Sequence, residues 1–281
     1  MFIHAKSAFG IKCMHIWGVC MKYKKELELL VKSVPEIYHK AVSNETKITF
    51  KQRNEVVTST DLYIEEELIK IIHRQFPDDR IHSEEFNRNT ELGDRTWLID
   101  PIDGTSNYVH KLNLFVIQVA LYDKGEVVLS YIHVPTISKT FYATKGEGSF
   151  LNGKQISVYS LGKQPNRLMS MVGLSHQTEK DKSIFMHLIA FSYKNDIKIR
   201  ILGSLGYEMA AMAEGSFVML YTDVTNYWDI APGLLLVKEA GGLVVNKKGE
   251  PYVLDDSHLF MFCDKEIMQE VLNSIANLDK S

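Results

Sequence analysis

Little cysteine, no long apolar run and almost no excess charge distinguish this sequence of 281 residues. Its three cysteines, Cys13, Cys20 and Cys263, are too few and too scattered for a disulfide framework, and they favour a reducing, cytoplasmic compartment. No stretch approaches the ~20 consecutive apolar residues that cross a bilayer, so we expect no membrane association. A formal net charge of −3 argues against a general surface for nucleic acid. Any strongly acidic site must therefore be local, and it would need cations to bind an anionic substrate.

The first twenty residues are moderately apolar, but they match neither a signal peptide nor a zinc site. Lys6, Lys12 and His15 interrupt the apolar core that a signal peptide needs. The spacing of the histidines and cysteines matches none of the usual zinc-ligand patterns. We therefore expect residues 1–20 to be a disordered or extraneous leader. Residues 21–281 are expected to form a single domain, with an internal boundary near residue 160.

Apolar spacing predicts the first elements of this domain. Residues 23 to about 43 carry apolar side chains at three- and four-residue spacing, which predicts an amphipathic helix with a kink or break at Pro35. Alternating residues at 47–51 and 55–59 predict a hairpin. Asp61 stands where the N-cap of a second helix is expected.

The remaining chain mixes strands and helices. Residues 97–150 predict mostly strand, with Pro101 ending the first of these strands after Asp100. Strands and helices alternate from residue 168 to residue 276. Because this mixture lacks strict βαβ alternation, it predicts a layered α/β sandwich.

Two carboxylates follow a buried strand at a spacing that suits a metal site. Asp100 ends the apolar segment that begins at Trp97, and Asp103 follows in a turn that Pro101 constrains. This turn can direct both carboxylates to one point while leaving the Ile102 carbonyl free. Carboxylate and carbonyl oxygens are ligands that Mg²⁺ or Mn²⁺ prefers, and no His or Cys accompanies them.

The residues after Asp103 suit a phosphate. Gly104 lets the backbone approach a ligand closely, and the N–H groups of a following helical turn can bind phosphate oxygens. Taken alone, an aspartate in a turn is more often a partner for backbone N–H groups. Carboxylates for a metal beside N–H groups for a phosphate together predict a site of phosphoryl transfer.

Several segments resemble signatures of the inositol monophosphatase family. WLIDPIDGTSNY at residues 97–108 is similar to its first signature, and WDIAPG at 228–233, continued by EAGG at 239–242, is similar to its second. VTSTD at 57–61 and SEE at 83–85 lie where the family has its other acidic motifs. Gly203 and Ser204 resemble a turn of small residues that meets the substrate. The resemblance extends from about residue 21 to the C-terminus.

The resemblance implies a five-layered αβαβα sandwich that hydrolyses a phosphate monoester with up to three Mg²⁺ ions. A homodimer and sensitivity to lithium are also family expectations. The implied metal ligands are Glu85, Asp100, the Ile102 carbonyl, Asp103 and Asp229. Glu85 and Asp100 with the carbonyl would hold one ion, the three aspartates a second, and Glu85 a weaker third.

Catalytic and substrate contacts also follow from the resemblance. Asp61 and Thr105, with Glu85, would orient the attacking water. The implied substrate-binding residues are Asp103, Gly104, Thr105, Gly203, Ser204 and Asp229.

The substrate is less well determined than the chemistry. Animal inositol monophosphatases carry a Glu that meets inositol hydroxyls seven residues before the second-signature Asp, and this chain has Thr222 there. Tyr221, Asp223 and Asn226 are candidate substitutes or ordinary loop residues. Inositol monophosphate or a related sugar or polyol phosphate is the leading prediction. NADP, 3′-phosphoadenosine phosphate and fructose 1,6-bisphosphate are the alternatives. A non-enzymatic scaffold associated with RNA or transcription is a further alternative, against which the full acidic set argues.

Overall fold

The structure, a computed structural model, describes residues 22–50, 56–158, 167–172, 179–224 and 226–276. The predicted leader at residues 1–20 lies outside the described residues. No helix in the described ranges has the length and apolar character needed to cross a membrane.

The described residues form seven α-helices and fourteen β-strands. The helices are α1 (Lys24–Val42), α2 (Ser59–Gln75), α3 (Thr105–Val109), α4 (Glu179–Lys194), α5 (Leu205–Ala213), α6 (Tyr227–Glu239) and α7 (Lys265–Ala276). The first strands are β1 (Ile48–Phe50), β2 (Val56–Thr58), β3 (Arg80–Ser83), β4 (Arg95–Asp103), β5 (Val116–Asp123), β6 (Glu126–Val134) and β7 (Lys139–Thr144). The remaining strands are β8 (Gly148–Leu151), β9 (Lys154–Ile156), β10 (Leu168–Val172), β11 (Lys198–Arg200), β12 (Met219–Thr222), β13 (Leu243–Val245) and β14 (Leu259–Phe262).

The N-terminal elements agree with the predicted pattern except at one cap. Helix α1 is continuous through Pro35, so of the two predicted outcomes the chain does not break there. Strands β1 and β2 form the predicted antiparallel pair. The N-cap of α2 is Thr58, and Asp61 is the third helical residue. The prediction of Asp61 as the cap was wrong because Thr58 and Asp61 form a capping box, in which each side chain accepts the other's backbone N–H.

A seven-stranded sheet carries the segment that the sequence singled out. Its order is β3-β4-β5-β6-β7-β8-β9, and all neighbours are antiparallel except β3 and β4. Strand β4 continues through Pro101 to Asp103, with a shift in its register against β5 between Asp100 and Asp103. The predicted strand end at Asp100 was therefore wrong, because an irregular register accommodates a residue that has no N–H to donate.

The helices and sheets stack in five layers. Helices α1 and α2 pack on one face of the seven-stranded sheet, and α5 and α6 pack on its other face. A five-stranded sheet of order β11-β10-β12-β14-β13 lies beyond α5 and α6, which contact it through β12 and β13. Helices α4 and α7 contact each other and cover this second sheet. The predicted layered α/β sandwich is confirmed, and it buries apolar residues on both faces of each sheet.

Candidate active site

Three carboxylates converge between the seven-stranded sheet and the central pair of helices. Asp100 and Asp103 come from β4, and Asp229 comes from the first turn of α6. One carboxylate oxygen from each lies within 4.8 Å of the others. Asp100 is only 1% exposed, whereas Asp103 and Asp229 are partly exposed. The cluster is therefore closed on the side of the sheet and accessible on the other side.

The start of α5 holds Asp103 in place. The Ser204 hydroxyl donates to Asp103 Oδ2 over 2.5 Å, and the Gly206 N–H donates to the same oxygen over 2.7 Å. The Leu205 N–H donates to Oδ1 over 3.2 Å. Ser204 is also the N-cap of α5 and is fully buried. Its predicted contact with a substrate stays a prediction, because in this structure its hydroxyl is committed to a carboxylate.

Removal from water raises the pKa of all three carboxyl groups. The pKa of Asp100 lies well above its usual range because of burial, and the negative charges of Glu84, Asp103 and Asp229 raise it further. Burial and then the charge of Asp103 raise the pKa of Asp229 to about 7. Burial also raises the pKa of Asp103, although hydrogen bonds from Ser204 and Gly206 oppose the shift. Burial and mutual repulsion therefore disfavour the ionised form of these three groups. A bound cation would offset both effects and stabilise the ionised cluster.

The donor set fits a hard divalent cation. Among the described residues, Asp100 Oδ1 is buried without a hydrogen-bond partner, while Oδ2 accepts from the Gln118 amide over 3.1 Å. A buried acceptor without a partner is costly unless an ion or water meets it. Only carboxylates make up the group, so the cluster suits Mg²⁺ or Mn²⁺ better than zinc.

A hydroxyl–carboxylate pair lies next to the cluster. The Thr105 hydroxyl lies 3.2 Å from Asp61 Oδ1 and 3.0 Å from the Ile102 carbonyl oxygen. Asp61 is fully buried, and its Oδ2 accepts from the backbone and hydroxyl of Thr58. Burial raises the pKa of Asp61 to about 6, against the effect of the hydrogen bonds from Thr58. The structure thus joins the two residues that the sequence paired.

Gly104 gives the chain its turn between β4 and α3. Its φ of 91° lies in the left-handed region, and a Cβ there would come within 3.0 Å of the Leu114 carbonyl oxygen and of Ser204 Cβ. The Asn107 amide fixes the same turn by donating to the carbonyls of Leu114 and Leu202, each over 2.7 Å. Gly104 therefore lies against the turn that contains Gly203 and Ser204.

Two adjacent glutamates approach the site from β3, and sequence reasoning selected only one. The Glu84 N–H donates to the Ile99 carbonyl over 3.2 Å, which places Glu84 beside Asp100 in the parallel pair of β3 and β4. The charge of Glu84 raises the pKa of Asp100, whereas the charge of Glu85 raises that of Asp61. Glu84 becomes a neighbour of Asp100 only through the parallel pairing of β3 with β4, so no local pattern in the sequence identifies it.

Buried Glu65 fixes the segment that carries both glutamates. Its Oε1 accepts from the Ser83 hydroxyl over 2.5 Å and from the Phe86 N–H over 2.8 Å. Its Oε2 accepts from the Glu85 N–H over 2.8 Å. No local pattern in the sequence singles out Glu65, because its partners lie about twenty residues further along the chain.

Comparison with known proteins identifies this arrangement. A model of the inositol monophosphatase family matches residues 23–278. An inositol monophosphatase of Dictyostelium discoideum is 36% identical over 224 residues, which are 76% of this chain and 80% of that protein. A fructose-1,6-bisphosphatase/inositol-1-monophosphatase of Thermotoga maritima is 38% identical over 206 residues, 73% of this chain and 76% of that protein. The chain belongs to the inositol monophosphatase family.

A solved structure gives the same result. An IMPase of Thermotoga maritima matches with a TM-score of 0.78 at 29% identity, covering 91% of this chain and 98% of that chain. Membership of the inositol monophosphatase family makes this chain a phosphatase, and hence a hydrolase. The carboxylate cluster lies where the fold brings the two family signatures together.

The position that departs from animal inositol monophosphatases is buried. Thr222 ends β12, is fully buried, and its hydroxyl accepts from the Val224 N–H over 3.1 Å. The hydroxyl of Tyr221 lies 3.1 Å from His258 Nδ1 within the core, so Tyr221 does not replace the missing Glu. The Asn226 amide donates to Asp229 Oδ2 over 2.8 Å. Of the candidate substitutes, Asn226 is therefore one that contacts the carboxylate cluster directly.

Proposed function

We propose that this chain hydrolyses phosphate monoesters in a Mg²⁺-dependent reaction, with inositol monophosphate or a related sugar or polyol phosphate as the substrate. The observation that carries the proposal is the carboxylate cluster beside the Thr105–Asp61 pair, in which one buried Asp100 oxygen has no hydrogen-bond partner among the described residues. A cation site next to an oriented hydroxyl is what hydrolysis by a positioned water requires.

Up to three Mg²⁺ ions, or Mn²⁺ in their place, would be held by this site. Asp100, Asp103 and Asp229 would hold one ion. Asp100, the Ile102 carbonyl and a glutamate of the 84–85 pair would hold another, and the charge contact with Asp100 favours Glu84 over Glu85. Glu85 keeps its predicted part in the water site, since its charge acts on Asp61. When bound, such ions neutralise phosphate charge and make a water more acidic.

The chain's own groups would orient the reactants. The Thr105 hydroxyl donates to Asp61, so its oxygen can accept a hydrogen bond from the attacking water and fix that water's direction. As the water's proton moves to this oxygen, the hydroxyl's own proton would pass to the Asp61 carboxylate. The N–H groups of Gly104 and Thr105 would bind phosphate oxygens at the turn before α3. Asp103 and Asp229, with the turn at Gly203 and Ser204, would border the rest of the substrate.

Fructose 1,6-bisphosphate is the strongest alternative substrate. The name of the Thermotoga maritima relative couples fructose-1,6-bisphosphatase with inositol-1-monophosphatase activity in one protein. Thr222 gives this chain no acidic side chain at the position where animal inositol monophosphatases meet inositol hydroxyls. NADP and 3′-phosphoadenosine phosphate are weaker alternatives. A single domain over residues 21–281, a cytoplasmic homodimer and inhibition by lithium complete the proposal.

Phosphate release tests the substrate class. We expect Mg²⁺-dependent release from inositol 1-phosphate, with release from fructose 1,6-bisphosphate as the second activity. NADP and 3′-phosphoadenosine 5′-phosphate complete the panel. Each substrate is measured with Mg²⁺, with Mg²⁺ plus tens of millimolar Li⁺, and with EDTA. Equal release with Mg²⁺ and with EDTA would contradict the proposed mechanism.

Asp229→Asn tests the site within the same assay. The variant removes one ligand charge, so we expect kcat to fall by at least about 100-fold. Asp255→Asn is the matched control, because Asp255 also accepts a hydrogen bond at α6, from the Tyr227 hydroxyl over 2.5 Å, but lies outside the cluster. Wild-type activity of the Asp229→Asn variant would refute the assignment of Asp229 as a ligand.

A further inference from the structure

A glutamine occupies the middle of the seven-stranded sheet, where its neighbours are apolar. Gln118 lies in β5 between the buried residues Ile117 and Val119, and it is itself 0% exposed. Its register partner on β4 is Asp100. A neutral amide therefore faces the most deeply buried carboxylate of the cluster.

One amide group links two of the three cluster residues. Gln118 Nε2 donates to Asp100 Oδ2 over 3.1 Å and lies 3.4 Å from the Asp229 carbonyl oxygen. Both partners are acceptors, so they fix which end of the amide is the nitrogen. Strand β4 and helix α6 are thereby joined at the level of the cluster.

The third cluster residue is connected through a glycine. A Cβ on Gly206 would come within 2.8 Å of Val116 Cγ2 and closer still to Gln118 Oε1, so any larger residue there would displace the amide. The N–H of Gly206 donates to Asp103. The packing of Gln118 and the position of Asp103 therefore depend on the same residue of α5.

This arrangement is not explained by stability alone. Within the described residues, Gln118 Oε1 is buried without a hydrogen-bond partner, which is costly in a sheet interior. An apolar side chain of the same size would avoid that cost. What the amide adds is a hydrogen bond that holds Asp100 Oδ2 and leaves Oδ1 for a cation. Because the amide is neutral, it makes this hydrogen bond without placing a positive side chain that would repel the ion.

We propose that Gln118 is a positioning residue for the metal centre, one that orients the Asp100 carboxylate and the first turn of α6. The inference rests on the proposed metal-dependent function. Removing a residue that hydrogen-bonds to a metal ligand typically lowers the affinity for the metal by roughly 10–100-fold. We expect a loss of that size when the amide is replaced by an apolar group.

Binding of Mn²⁺, followed by the loss of the free-ion signal in electron paramagnetic resonance, tests the inference. Gln118→Met keeps the length of the side chain and removes the donor, and Gln118→Leu is a second apolar variant should the first fail to fold. Ser149→Ala is the matched control. The fully buried Ser149 hydroxyl also ties the sheet to α6, donating to the Leu236 carbonyl over 2.5 Å, but away from the cluster. Thermal unfolding in EDTA reports any change in stability separately.

The expected result is Mn²⁺ affinity reduced roughly 10–100-fold by Gln118→Met and unchanged by Ser149→Ala. In the phosphatase assay the metal concentration for half-maximal activity should rise, while kcat at saturating metal falls much less. Wild-type Mn²⁺ affinity in the glutamine variants, even with lowered stability, would overturn the inference and leave the proposed function intact. If the wild-type protein itself binds no Mn²⁺, the proposed function fails first, and the role of Gln118 fails with it.

Discussion

The Thr105 hydroxyl lies between the Ile102 carbonyl, which belongs to the same signature, and the Asp61 carboxylate, which lies outside it. Asp61 reaches this position from the first turn of α2, where Thr58 fixes its other oxygen. The carboxylate therefore has one oxygen for the helix cap and one for Thr105. A single side chain serves both the fold and the proposed water site.

Thr105→Ala should lower kcat by roughly 10²–10⁴-fold, because the water loses the group that orients it and relays its proton to Asp61. Thr105→Ser keeps the hydroxyl and should lose less than about tenfold. KM should change little in both variants, since the hydroxyl acts on the water. Steady-state phosphate release provides the measurement.

Ser106→Ala is the control for the Thr105 variants. Ser106 also carries a hydroxyl in α3, but its side chain is exposed. Equal losses in the alanine and serine variants of Thr105 would show that the methyl group and its packing matter, and not the hydroxyl.

Site residues could be predicted from the sequence where the residues that act together are also close along the chain. Asp100 and Asp103 could be selected because their spacing and the intervening Pro101 act within four residues. Glu84 and Gln118 could not be selected, because their importance follows from strand pairing: each becomes a neighbour of Asp100 only through the register of β4. An isolated glutamine in an apolar strand carries no signal of that partner.

The same distinction holds for the secondary-structure elements. The α5 boundary was predictable, because Ser204 caps the helix that immediately follows it. The α2 boundary was misplaced by three residues, since both Thr58 and Asp61 are cap-forming types and only the capping box decides between them. The continuation of β4 past Pro101 depends on pairing with β5, which no local pattern contains.

The turn before α5 is held by a buried acid. Glu208 is 0% exposed, and its Oε1 accepts from the N–H groups of Leu202 and Gly203 over 2.8 and 3.1 Å. Burial, with a smaller contribution from the charge of Asp103, raises the pKa of Glu208 from an ordinary 4.5 to about 8, against the effect of the hydrogen bonds from Leu202 and Gly203. This turn positions Ser204, so the protonation of Glu208 affects the support of Asp103.

Glu208→Gln should reduce the pH dependence of stability in the metal-free protein. Because the folded-state pKa of Glu208 is raised, its contribution to stability is present below about pH 4.5 and is lost as the pH rises through about 8. The amide keeps the two accepted N–H bonds and cannot ionise. Between pH 5 and pH 8.5 in EDTA, the variant should lose roughly 1–3 kcal/mol less stability than the wild type, as measured by urea unfolding.

Glu239→Gln is the matched control for this comparison. Glu239 also accepts two backbone N–H groups of a turn, from Gly146 and Gly148, but it is partly exposed and lies at the far end of α6. If Glu208→Gln retains the full wild-type loss of stability between the two pH values, the raised pKa of Glu208 is refuted.

At the scale of the whole molecule, the carboxylate cluster joins the seven-stranded sheet to the central helices α5 and α6. Asp100 and Asp103 belong to the seven-stranded sheet, Asp229 belongs to α6, and the start of α5 holds Asp103. Without a cation, acidic groups that disfavour their own ionisation lie at this junction. A bound ion would therefore stabilise the sandwich as a whole, and not only one loop.

Removal of divalent metal should accordingly lower the unfolding temperature of the entire chain. At an Mg²⁺ or Mn²⁺ concentration about 100 times the Kd, binding adds about 2.7 kcal/mol to the free energy of unfolding. For a chain of this size, that corresponds to an increase of roughly 5–10 °C over the protein in EDTA. Differential scanning calorimetry at pH 8 measures the effect. Buffers free of Ca²⁺ ensure that the added Mg²⁺ or Mn²⁺ is the ion that binds.

Asp100→Asn separates relief of charge from binding of the ion. Its side-chain carbonyl can still accept from Gln118, and it removes the most deeply buried acid of the cluster. In EDTA at pH 8 we therefore expect the variant to unfold at or above the wild-type temperature, whereas added Mg²⁺ should raise that temperature by only a small fraction of the wild-type increase. A variant that gains as much from Mg²⁺ as the wild type would place the stabilising ion elsewhere. A variant that is much less stable in EDTA would show that Asp100 supports the fold in its metal-free form, so that the cluster would not depend on a cation.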